Sequence, residues 1–594
     1  MRHKDFLIYL VLPCALLTSP FMLAQKPAVP PAREHAAKQN AKAAPAADIR
    51  SYIDHGWQTL SRSMTQCGSV ADVKVAQTPV LYLPQGMAVP DAVKAMQQKC
   101  RVQVEHLPVK VEKIGDIKPE QIQQHGLLYL PNPYVVPGGR FNEMYGWDSY
   151  FIILGLLRDQ HADAAKAMVE NFFFEIENYG ALLNANRTYF FTRSQPPLLT
   201  SMIMAVEEAD PDRAWLERAY GFAVRDHDLW TREPHLAGNT GLSRYFDFGE
   251  GPVAETADDP HYFAEVASAM LKMQDQGREY LEFDGKDTTG PAFNYQVCAQ
   301  QPLKGGGHSC GPRQQVALTR DYYKGDRSMR ESGFDISFRF GPYSGSTHHY
   351  APVCLNSLLY KAERDLAKMA GMLGKPDSGK WEQMAEARKA AMVPLMWNEK
   401  EGLFFDHDFV AGRQSEYRFA STFYPLWAGL ATPEQARAVA AHVKIFERPG
   451  GVSSSDRATG MQWDEPYGWA PLQYFAVEGL RRYGNDDDAD RLARAFTTMV
   501  EENYGRDGTI REKYNLVTRT TDAAVTSGYK SNVVGFGWTN GVYLVFADEL
   551  SKAKKAAGNA NSGGPSEKSE KVETKRVETK KVETKKVETK DAPQ

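Results

Sequence analysis

From about residue 150 onward, apolar residues recur at every third or fourth position, and turns rich in Gly, Pro and Asp separate the runs. This spacing puts apolar side chains on one face of an α-helix, whereas the alternation typical of strands is scarce. Several runs are apolar on most sides, as expected where an outer layer of helices covers an inner one. The pattern predicts an all-α fold with helices over Phe151–Phe174, Val353–Met372, Trp381–Met396, Pro433–Val443, Pro471–Tyr483 and Ala489–Tyr504.

The first 24 residues follow a different pattern. Basic residues at the start precede the mostly apolar run Phe6–Leu23, and Ala24 is a small residue at a possible cleavage point. This layout is typical of a secretory signal peptide and predicts a periplasmic or secreted protein. The alternative is an uncleaved membrane anchor, since about 18 apolar positions approach a spanning length, although Pro13 and Pro20 interrupt the run. Residues 25–48, rich in Ala, Pro and Lys, are typical of a flexible linker.

The chain ends in a five-residue repeat of the form KVETK, from Lys571 to Lys590. A period of five matches neither 3.5 nor 3.6, so the repeated valines cannot form a helical seam, and we expect residues 551–594 to be a disordered tail. Residues 1–50 and 551–594 carry net charges of +4 and +5, which leaves −13 on residues 51–550 out of a total of −4. The acidic middle gives no case for a nucleic-acid partner, while the basic tail is a candidate contact with the cell envelope.

Five cysteines follow the predicted signal peptide. Cys298 and Cys310 flank a Gly-rich loop and are our first candidate for a disulfide, with Cys67 and Cys100 second. Cys354 lies in an apolar helical pattern, which favours a buried free thiol. The chain has neither a CxxC nor an HxxxH spacing, so the sequence predicts no metal site and no cofactor.

Two loops combine charged and aromatic residues. The first, Pro137–Tyr150, reads PGGRFNEMYGWDSY, and the second, Met461–Gln473, reads MQWDEPYGWAPLQ. A sugar presents hydroxyl groups at its rim and C–H groups on its faces, so a sugar pocket needs Arg and carboxylate partners together with aromatic platforms. The alternative is a buried aromatic cluster with a paired Arg and Asp.

These two loops resemble the two signature patterns of the trehalases, glycoside hydrolase family 37. The resemblance continues through residues 184–197, 331–339, 511–514 and 535–542, in the order found in that family. It implies an (α/α)6 toroid of six inner and six outer helices, formed by residues 49–550 as a single catalytic domain. It also implies hydrolysis of α,α-trehalose to two glucose by inversion. No other stretch reaches about 18 uninterrupted apolar residues, so we expect a protein that is soluble after signal removal, and we expect a monomer.

The resemblance implies that Asp335 is the general acid and Glu512 the general base. The acid gives a proton to the glycosidic oxygen while the base activates a water on the opposite face of the ring, which requires the carboxyl groups to stand about 6.5–9.5 Å apart. The alternative for Asp335 is an ion pair with Arg339 or Arg327. By the same resemblance, and with core packing as the alternative for the aromatic rings, the substrate-binding residues are Arg140, Phe141, Tyr145, Trp147, Asp148, Asn184, Arg193, Gln195, Glu255, Gly333 and Trp463.

Three positions depart from the family pattern. Val253 stands where the family has a substrate-binding arginine, and the expanded interval before Asp335 offers Arg313, Arg320 or Arg327 as replacements. The Gly-rich lid becomes Thr526–Val534 with a single glycine and no acidic residue. Phe334 replaces a Trp. The rival functions are therefore a glycosidase for another α-glucoside or a modified trehalose, a catalytically weak sugar-binding protein, and an envelope scaffold acting through the tail.

Overall fold

The computed structural model describes residues 46–71, 77–256, 261–273, 275–283, 294–297, 300–302, 308–310, 314–523, 525 and 532–562. Most of these residues are helical, as the apolar spacing predicts. The α-helices are α1 (Ala46–Thr59), α2 (Cys67–Val70), α3 (Asp91–Gln97), α4 (Gly146–Arg158), α5 (Ala162–Asn178), α6 (Leu199–Ala209), α7 (Arg213–Trp230), α8 (Tyr262–Lys272), α9 (Asp275–Arg278), α10 (Arg320–Ser332), α11 (Val353–Leu373), α12 (Ser378–Met396), α13 (Tyr424–Ala428), α14 (Pro433–Ala441), α15 (Ala470–Arg482), α16 (Asp486–Asp507) and α17 (Gly537–Ser562).

Short strands pair the loops between helices, and the apolar spacing did not predict them because most span only two to four residues. They are β1 (Ser61–Arg62), β2 (Val80–Leu83), β3 (Gln103–His106), β4 (Leu127–Leu128), β5 (Tyr134–Val135), β6 (Leu281–Glu282), β7 (Asn294–Val297), β8 (Gln300–Pro302), β9 (His308–Cys310), β10 (Gln314–Leu318), β11 (Tyr350–Ala351), β12 (Trp397–Asn398), β13 (Leu403–Phe404), β14 (His407–Asp408), β15 (Arg413–Gln414), β16 (Glu447–Arg448), β17 (Gly451–Val452), β18 (Tyr467–Trp469) and β19 (Lys513–Asn515). The strands β3, β2 and β4 form a parallel sheet, and the other pairs are antiparallel.

Six helices form a closed inner ring. In chain order α4, α6, α11, α13, α15 and α17 each pack against the next, and α17 packs against α4. Outside this ring, α5 packs on α4, α7 and α12 on α11, α16 on α15, and α1 on α16 and α17. Two layers of helices therefore surround a common apolar core, which confirms the predicted (α/α)6 architecture.

The ring closes where α17 crosses α4 at two glycines. A Cβ atom on Gly541 would lie 2.0 Å from the carbonyl oxygen of Phe151, and one on Gly155 would lie 2.7 Å from the Cα of Gly541. The two backbones can approach this closely only because neither residue has a side chain. The last helix of the domain is thus fixed to the first inner helix by direct backbone packing.

The helix predicted over Phe151–Phe174 is two helices in the structure. The break lies at Asp159–His161, between α4 and α5, where Gln160 adopts a φ of 64°. This left-handed conformation ends the helical path, and the nearby carboxylate of Asp159 accepts a hydrogen bond from Nε1 of Trp57 at 2.8 Å. The break turns α5 back over the outer side of the ring.

The ends of the helical domain lie outside the predicted limits. The first helix begins at Ala46, inside the predicted linker, and α17 continues to Ser562, so the boundary predicted at residue 550 falls within a helix. The predicted signal peptide and the VETK repeats lie outside the described residues. Among the helices that the structure describes, none combines the length and the apolar character needed to cross a bilayer.

Of the two predicted cysteine pairs, the second is present: Cys67 and Cys100 form a disulfide that links α2 to the segment after α3. Cys298 lies outside the described residues, so the first pair stays a prediction. Cys354 is a buried free thiol in α11, as predicted. Its sulfur lies 3.5 Å from the guanidinium nitrogens of Arg339.

Candidate active site

A cavity of about 390 Å³ collects all the predicted site residues. Those residues are Arg140, Phe141, Tyr145, Trp147, Asp148, Asn184, Arg193, Gln195, Glu255, Gly333, Asp335, Trp463 and Glu512. Sequence reasoning did not assign a role to several other residues of the lining, among them Tyr189, Tyr262, Arg330, Gln462, Trp469, Phe536 and Trp538.

The lining comes mainly from the segments that lead into the inner helices. Arg140 precedes α4, the loop 184–195 precedes α6, and Trp463 precedes α15, while Phe536 immediately precedes α17. The cavity therefore lies at the end of the ring where inner helices begin, and loops from distant parts of the chain meet there.

Asp335 follows α10 after the left-handed Gly333, whose φ is 77°. A Cβ atom on Gly333 would lie 2.9 Å from the indole of Trp147, so this turn requires glycine for both its conformation and its packing. Burial raises the pKa of Asp335 to about 6, although Arg330 and Arg193 oppose the shift. This carboxyl can hold a proton close to neutral pH.

Glu512 lies on the loop between α16 and β19 and is 1% exposed. Burial raises the pKa of its carboxyl to about 7, and the cationic groups of Lys513 and Arg140 oppose that shift. The Nζ atom of Lys513 lies 3.6 Å from Oε2 of Glu512 and donates a hydrogen bond to Oε1 of Gln462 at 3.0 Å. Gln462 in turn donates to the backbone oxygen of Asp335. The side chains of Lys513 and Gln462 thus connect Glu512 to the backbone of Asp335.

Asp148, in the first turn of α4, is a third carboxyl of the cavity and is buried. Burial is the main cause that raises its pKa well above the usual range, and the charges of Glu512 and Asp335 raise it further. Three carboxyls therefore influence one another, and full ionisation of all three is unfavourable.

Glu255 lies between two arginines. Its carboxylate contacts Arg193 at 2.5 Å and Nη1 of Arg330 at 3.7 Å. Burial alone would raise the pKa of Glu255, but the two guanidinium groups hold it below its usual range. On its other side Arg193 lies 3.7 Å from Asp247. These ion pairs fix the orientation of both arginines at the cavity wall.

Of the three arginines predicted to compensate for Val253, the two that the structure describes do not line the cavity. Val253 is buried in a small apolar core formed with α8 and α10. Arg320 pairs with Glu250 and Arg327 with Asp247, and neither lines the cavity, while Arg313 lies outside the described residues. Arg330, one turn before Gly333, lines the cavity instead. The sequence did not indicate which way Arg330 points, because its helix carries charged residues on several sides.

The interval before Asp335 forms part of the cavity wall. Thr256 and Tyr262 line the cavity, and the ring of Tyr262 lies 5.5 Å from the guanidinium carbon of Arg330. The part of the altered lid at residues 526–531 lies outside the described residues.

Two of the predicted polar residues make scaffold hydrogen bonds. Oε1 of Gln195 accepts from the backbone N–H of Trp147 at 2.8 Å, at the start of α4. The side-chain amide of Asn184 contacts the carbonyl oxygen of Arg330 at 3.4 Å. These contacts join the loop before α6 to α4 and α10, so both residues also position their neighbours.

The aromatic rings of the cavity are buried against one another. Trp463 and Trp469 stack with centroids 4.0 Å apart, and Phe334 meets Trp463 edge-on at 5.1 Å. Trp538 lies 5.7 Å from Trp469. These indoles line the cavity and also pack as core, so core packing of Trp463 does not exclude the predicted substrate-binding role.

The structure does not pair Asp335 with Arg339 or Arg327, the alternative raised from the sequence. Nη2 of Arg339 lies 2.6 Å from Asp406, and Nη1 of Arg327 lies 3.3 Å from Asp247. Both arginines thus have other carboxylate partners, which leaves Asp335 facing the cavity.

Comparison with known proteins identifies relatives of this fold and site. The sequence model of the family described as Trehalase matches residues 84–286 and 315–551. The unmatched residues 287–314 fall within the expanded interval before Asp335. A cytosolic neutral trehalase of Beauveria bassiana is 37% identical over 78% of this chain, and one of Saccharomyces cerevisiae is 33% identical over 84% of it.

The solved structure of the neutral trehalase of Saccharomyces cerevisiae superposes with a TM-score of 0.69 at 31% identity, covering 87% of this chain and 96% of that one. The chain spans 64%, 58% and 63% of the lengths of the first three curated relatives. Several of these relatives are named cytosolic, which contradicts our expectation of a periplasmic or secreted protein with a signal peptide, and we withdraw that expectation.

Proposed function

The chain belongs to the trehalase family, and from this premise we propose that it hydrolyses α,α-trehalose to two molecules of glucose. The observation that carries the proposal is the convergence of Asp335 and Glu512 in one cavity with three arginines and a wall of indoles. This combination offers charged partners for sugar hydroxyls, apolar faces for the rings, and two carboxyls for the chemistry.

In the proposed reaction Asp335 donates its proton to the glycosidic oxygen while the bond to one anomeric carbon breaks. Glu512, as carboxylate, takes a proton from the water that attacks the same carbon from the opposite face. Inversion then releases one α-glucose and one β-glucose. The pKa values of about 6 for Asp335 and about 7 for Glu512 mean that the pair holds one proton over a narrow range near neutrality. That proton resides mainly on Glu512, so the reactive form, with Asp335 protonated and Glu512 ionised, is the minor one of the two singly protonated forms.

The remaining residues act by position and charge. We assign Arg140, Arg193 and Arg330 to sugar hydroxyls, because their guanidinium groups line the cavity. Lys513 favours the ionised form of Glu512, and Gln462 links it to the backbone of Asp335. Burial raises the pKa of Asp148 well above its usual range, and in its protonated form this carboxyl can donate a hydrogen bond to a substrate oxygen.

The test is hydrolysis of trehalose by the purified protein, followed by proton NMR of the product anomers. We expect equal initial amounts of α- and β-glucose from trehalose and slower cleavage of maltose, kojibiose and sucrose. Cleavage of one of these sugars without cleavage of trehalose would favour the rival α-glucosidase, which the valine at position 253 motivates. Tight sugar binding without turnover would favour the sugar-binding protein.

The roles of the two carboxyls are tested by isosteric variants. Asp335→Asn and Glu512→Gln should each lower kcat by about 10²-fold or more, because each removes one proton transfer. Azide should rescue Glu512→Gln as a small nucleophile in the water position, giving a glycosyl azide of defined anomeric form. Near-normal turnover by either variant would exclude that residue from the mechanism.

A further inference from the structure

A cluster of metal-binding residue types lies outside the cavity. Asp321, in the first turn of α10, faces His348 and His349 of the 3₁₀ helix Thr347–His349. One ligand atom from each residue lies within 4.8 Å of the other two. None of the three lines the proposed active site, so the cluster needs a separate explanation.

The distances in this cluster match a metal coordination sphere. Oδ1 of Asp321 lies 3.0 Å from Nε2 of His348 and 3.4 Å from Nε2 of His349. Zinc binds imidazole nitrogen and carboxylate oxygen at about 2.0–2.2 Å, so neighbouring ligands of a tetrahedral ion stand about 3.3–3.5 Å apart. The carboxylate oxygen thus lies at about that separation from each imidazole nitrogen, and all three ligand atoms lie within 4.8 Å of one another.

The backbone holds the two imidazoles in place. The carbonyl oxygen of His348 accepts from Nη1 of Arg244 at 3.1 Å, and that of His349 accepts from the N–H of Phe409 at 3.1 Å. The His348 side chain is 7% exposed, while those of His349 and Asp321 are 27% and 53% exposed. The ligand set is therefore fixed on its inner side and reachable from solvent on its outer side.

We propose that Asp321, His348 and His349 bind a Zn²⁺ ion, with solvent in the fourth position. Two imidazoles and one carboxylate form a donor set that suits zinc and neighbouring divalent transition metals better than Ca²⁺ or Mg²⁺. The plain alternative is one carboxylate accepting hydrogen bonds from two imidazoles. The two arrangements respond differently to a chelator. A chelator removes the ion and its stabilisation from a metal site, but leaves hydrogen bonds between a carboxylate and two imidazoles unchanged.

The position of the cluster indicates what the ion does. Asp321 lies in the first turn of α10, and the histidines end the segment that follows this helix, so an ion would link both ends of residues 321–349. This segment carries Arg330, Gly333 and Asp335 to the cavity. The ion stabilises the segment that carries the proposed acid, and takes no part in bond cleavage itself.

The experiment is isothermal titration of the full untagged chain with ZnCl₂ after dialysis against EDTA, at pH 7. We expect one equivalent of Zn²⁺ to bind and the midpoint of thermal unfolding to rise, because a ligand bound only by the folded state stabilises it. Asp321→Asn and His349→Ala should each weaken binding by at least about tenfold. The matched control is His106→Ala, an exposed histidine outside the cluster, which should bind as the wild type does.

A second measurement does not depend on the folding of variants. X-ray absorption of the zinc-loaded wild type should show two imidazole nitrogens at about 2.0 Å. Equal zinc affinity in the cluster variants and the wild type, or a spectrum without imidazole ligands, would overturn the proposal. The outcome is independent of the proposed hydrolase function, since neither readout uses a sugar substrate.

Discussion

Asp335 and Glu512 owe their proton affinities to burial, and this sets the expected pH dependence of catalysis. Below about pH 6 both carboxyls are protonated and the base is lost, while above about pH 7 both are ionised and the acid is lost. The profile of kcat/KM for trehalose should therefore be a narrow bell with its maximum between these values. A rate that stays constant from pH 5 to pH 8 would contradict the assignment.

Arg330 is the residue that we expect to compensate for Val253. Arg330→Gln should lower kcat/KM by about 10²-fold, mainly through KM, because the cavity loses a charged partner for sugar hydroxyls. The matched control is Arg320→Gln on the same helix, whose guanidinium pairs with Glu250 at 3.6 Å and is half exposed. Steady-state kinetics and thermal unfolding separate a binding role from a structural one. Unchanged KM with a lowered unfolding midpoint would make Arg330 purely structural.

Asp226 of α7 should make folding stability depend on pH. Its side chain lines a second cavity of about 570 Å³, and burial raises the pKa of its carboxyl to about 7. Because the folded state binds the proton more tightly than the unfolded state, this group's contribution to stability is present at low pH and is lost as the pH rises through 4 to 7. Asp226→Asn should reduce the loss of unfolding free energy between pH 5 and pH 8 by on the order of 2–4 kcal/mol. Urea unfolding at the two pH values measures this difference.

The neighbouring Asp228→Asn serves as the control for this measurement. Asp228 lies on the same helix, is 41% exposed at its side chain and pairs with Arg232 at 2.7 Å. Exposed ion pairs contribute little to stability, so this variant should keep the wild-type pH dependence. An equal effect of both variants would show that burial of Asp226 is not the cause.

At the scale of the helix, the crossing of α4 and α17 is the contact most sensitive to added volume. Gly541→Ala should lower the free energy of unfolding by about 3 kcal/mol or more, because the new Cβ would meet a backbone oxygen that cannot move alone. Gly221→Ala is the control: it lies within α7 with no atom near the added carbon and should raise stability by about 1 kcal/mol. Denaturant unfolding of both variants checks this, and a mild Gly541→Ala effect would mean that the helices can separate.

The Cys67–Cys100 disulfide should stabilise the segment from α2 to β3. It joins cysteines 33 residues apart, and loop-closure entropy predicts a loss of about 3–4 kcal/mol when the link is removed. The double variant Cys67→Ser, Cys100→Ser should therefore unfold at lower urea concentration than the oxidised wild type. With dithiothreitol present the two proteins should become equal, and a persistent difference would point to packing of the sulfurs instead.

Much of the helical pattern was predictable because the buried face of each long helix appears in the sequence as apolar residues at helical spacing. The run Val353–Met372 differs from α11 by one residue at its end, whereas the break at Gln160 was missed because a single left-handed residue leaves the apolar spacing intact. Two-residue strands such as β12 were missed for a related reason, since they are too short for any period to register.

At the scale of the molecule, contiguous motifs identified residues that are distant in the chain and close together in the fold. All thirteen candidate residues line one cavity because the motif loops lead into inner helices that meet at one end of the ring. Arg330 was missed because its helix is charged on several sides, so the sequence does not tell which arginine faces inward. The preference for Cys298 and Cys310 rested on a Gly-rich flank and stays a prediction, while the pairing of Cys67 with Cys100 depends on where α2 and α3 lie in space.

We propose that residues 46–562 form one catalytic domain. A protein truncated to these residues should keep the kcat/KM and the unfolding midpoint of the full chain, because every residue of the cavity lies within them. A protein ending at residue 550 should be less stable, since it removes the last turns of α17. Circular dichroism and trehalose kinetics of the three proteins test this, and loss of activity in the 46–562 protein would show that the ends contribute.

The contact between α4 and α17 also determines when the inner ring and its cavity are completed during synthesis of the chain. The inner ring stays open until the last helix has left the ribosome, because its first member has no partner on that side before then. Trp538, which lines the cavity, and Glu512 are among the last residues of the domain to be made. A nascent chain therefore carries an unfinished substrate pocket and an exposed apolar edge for most of translation, and this interval is when chaperone protection matters most.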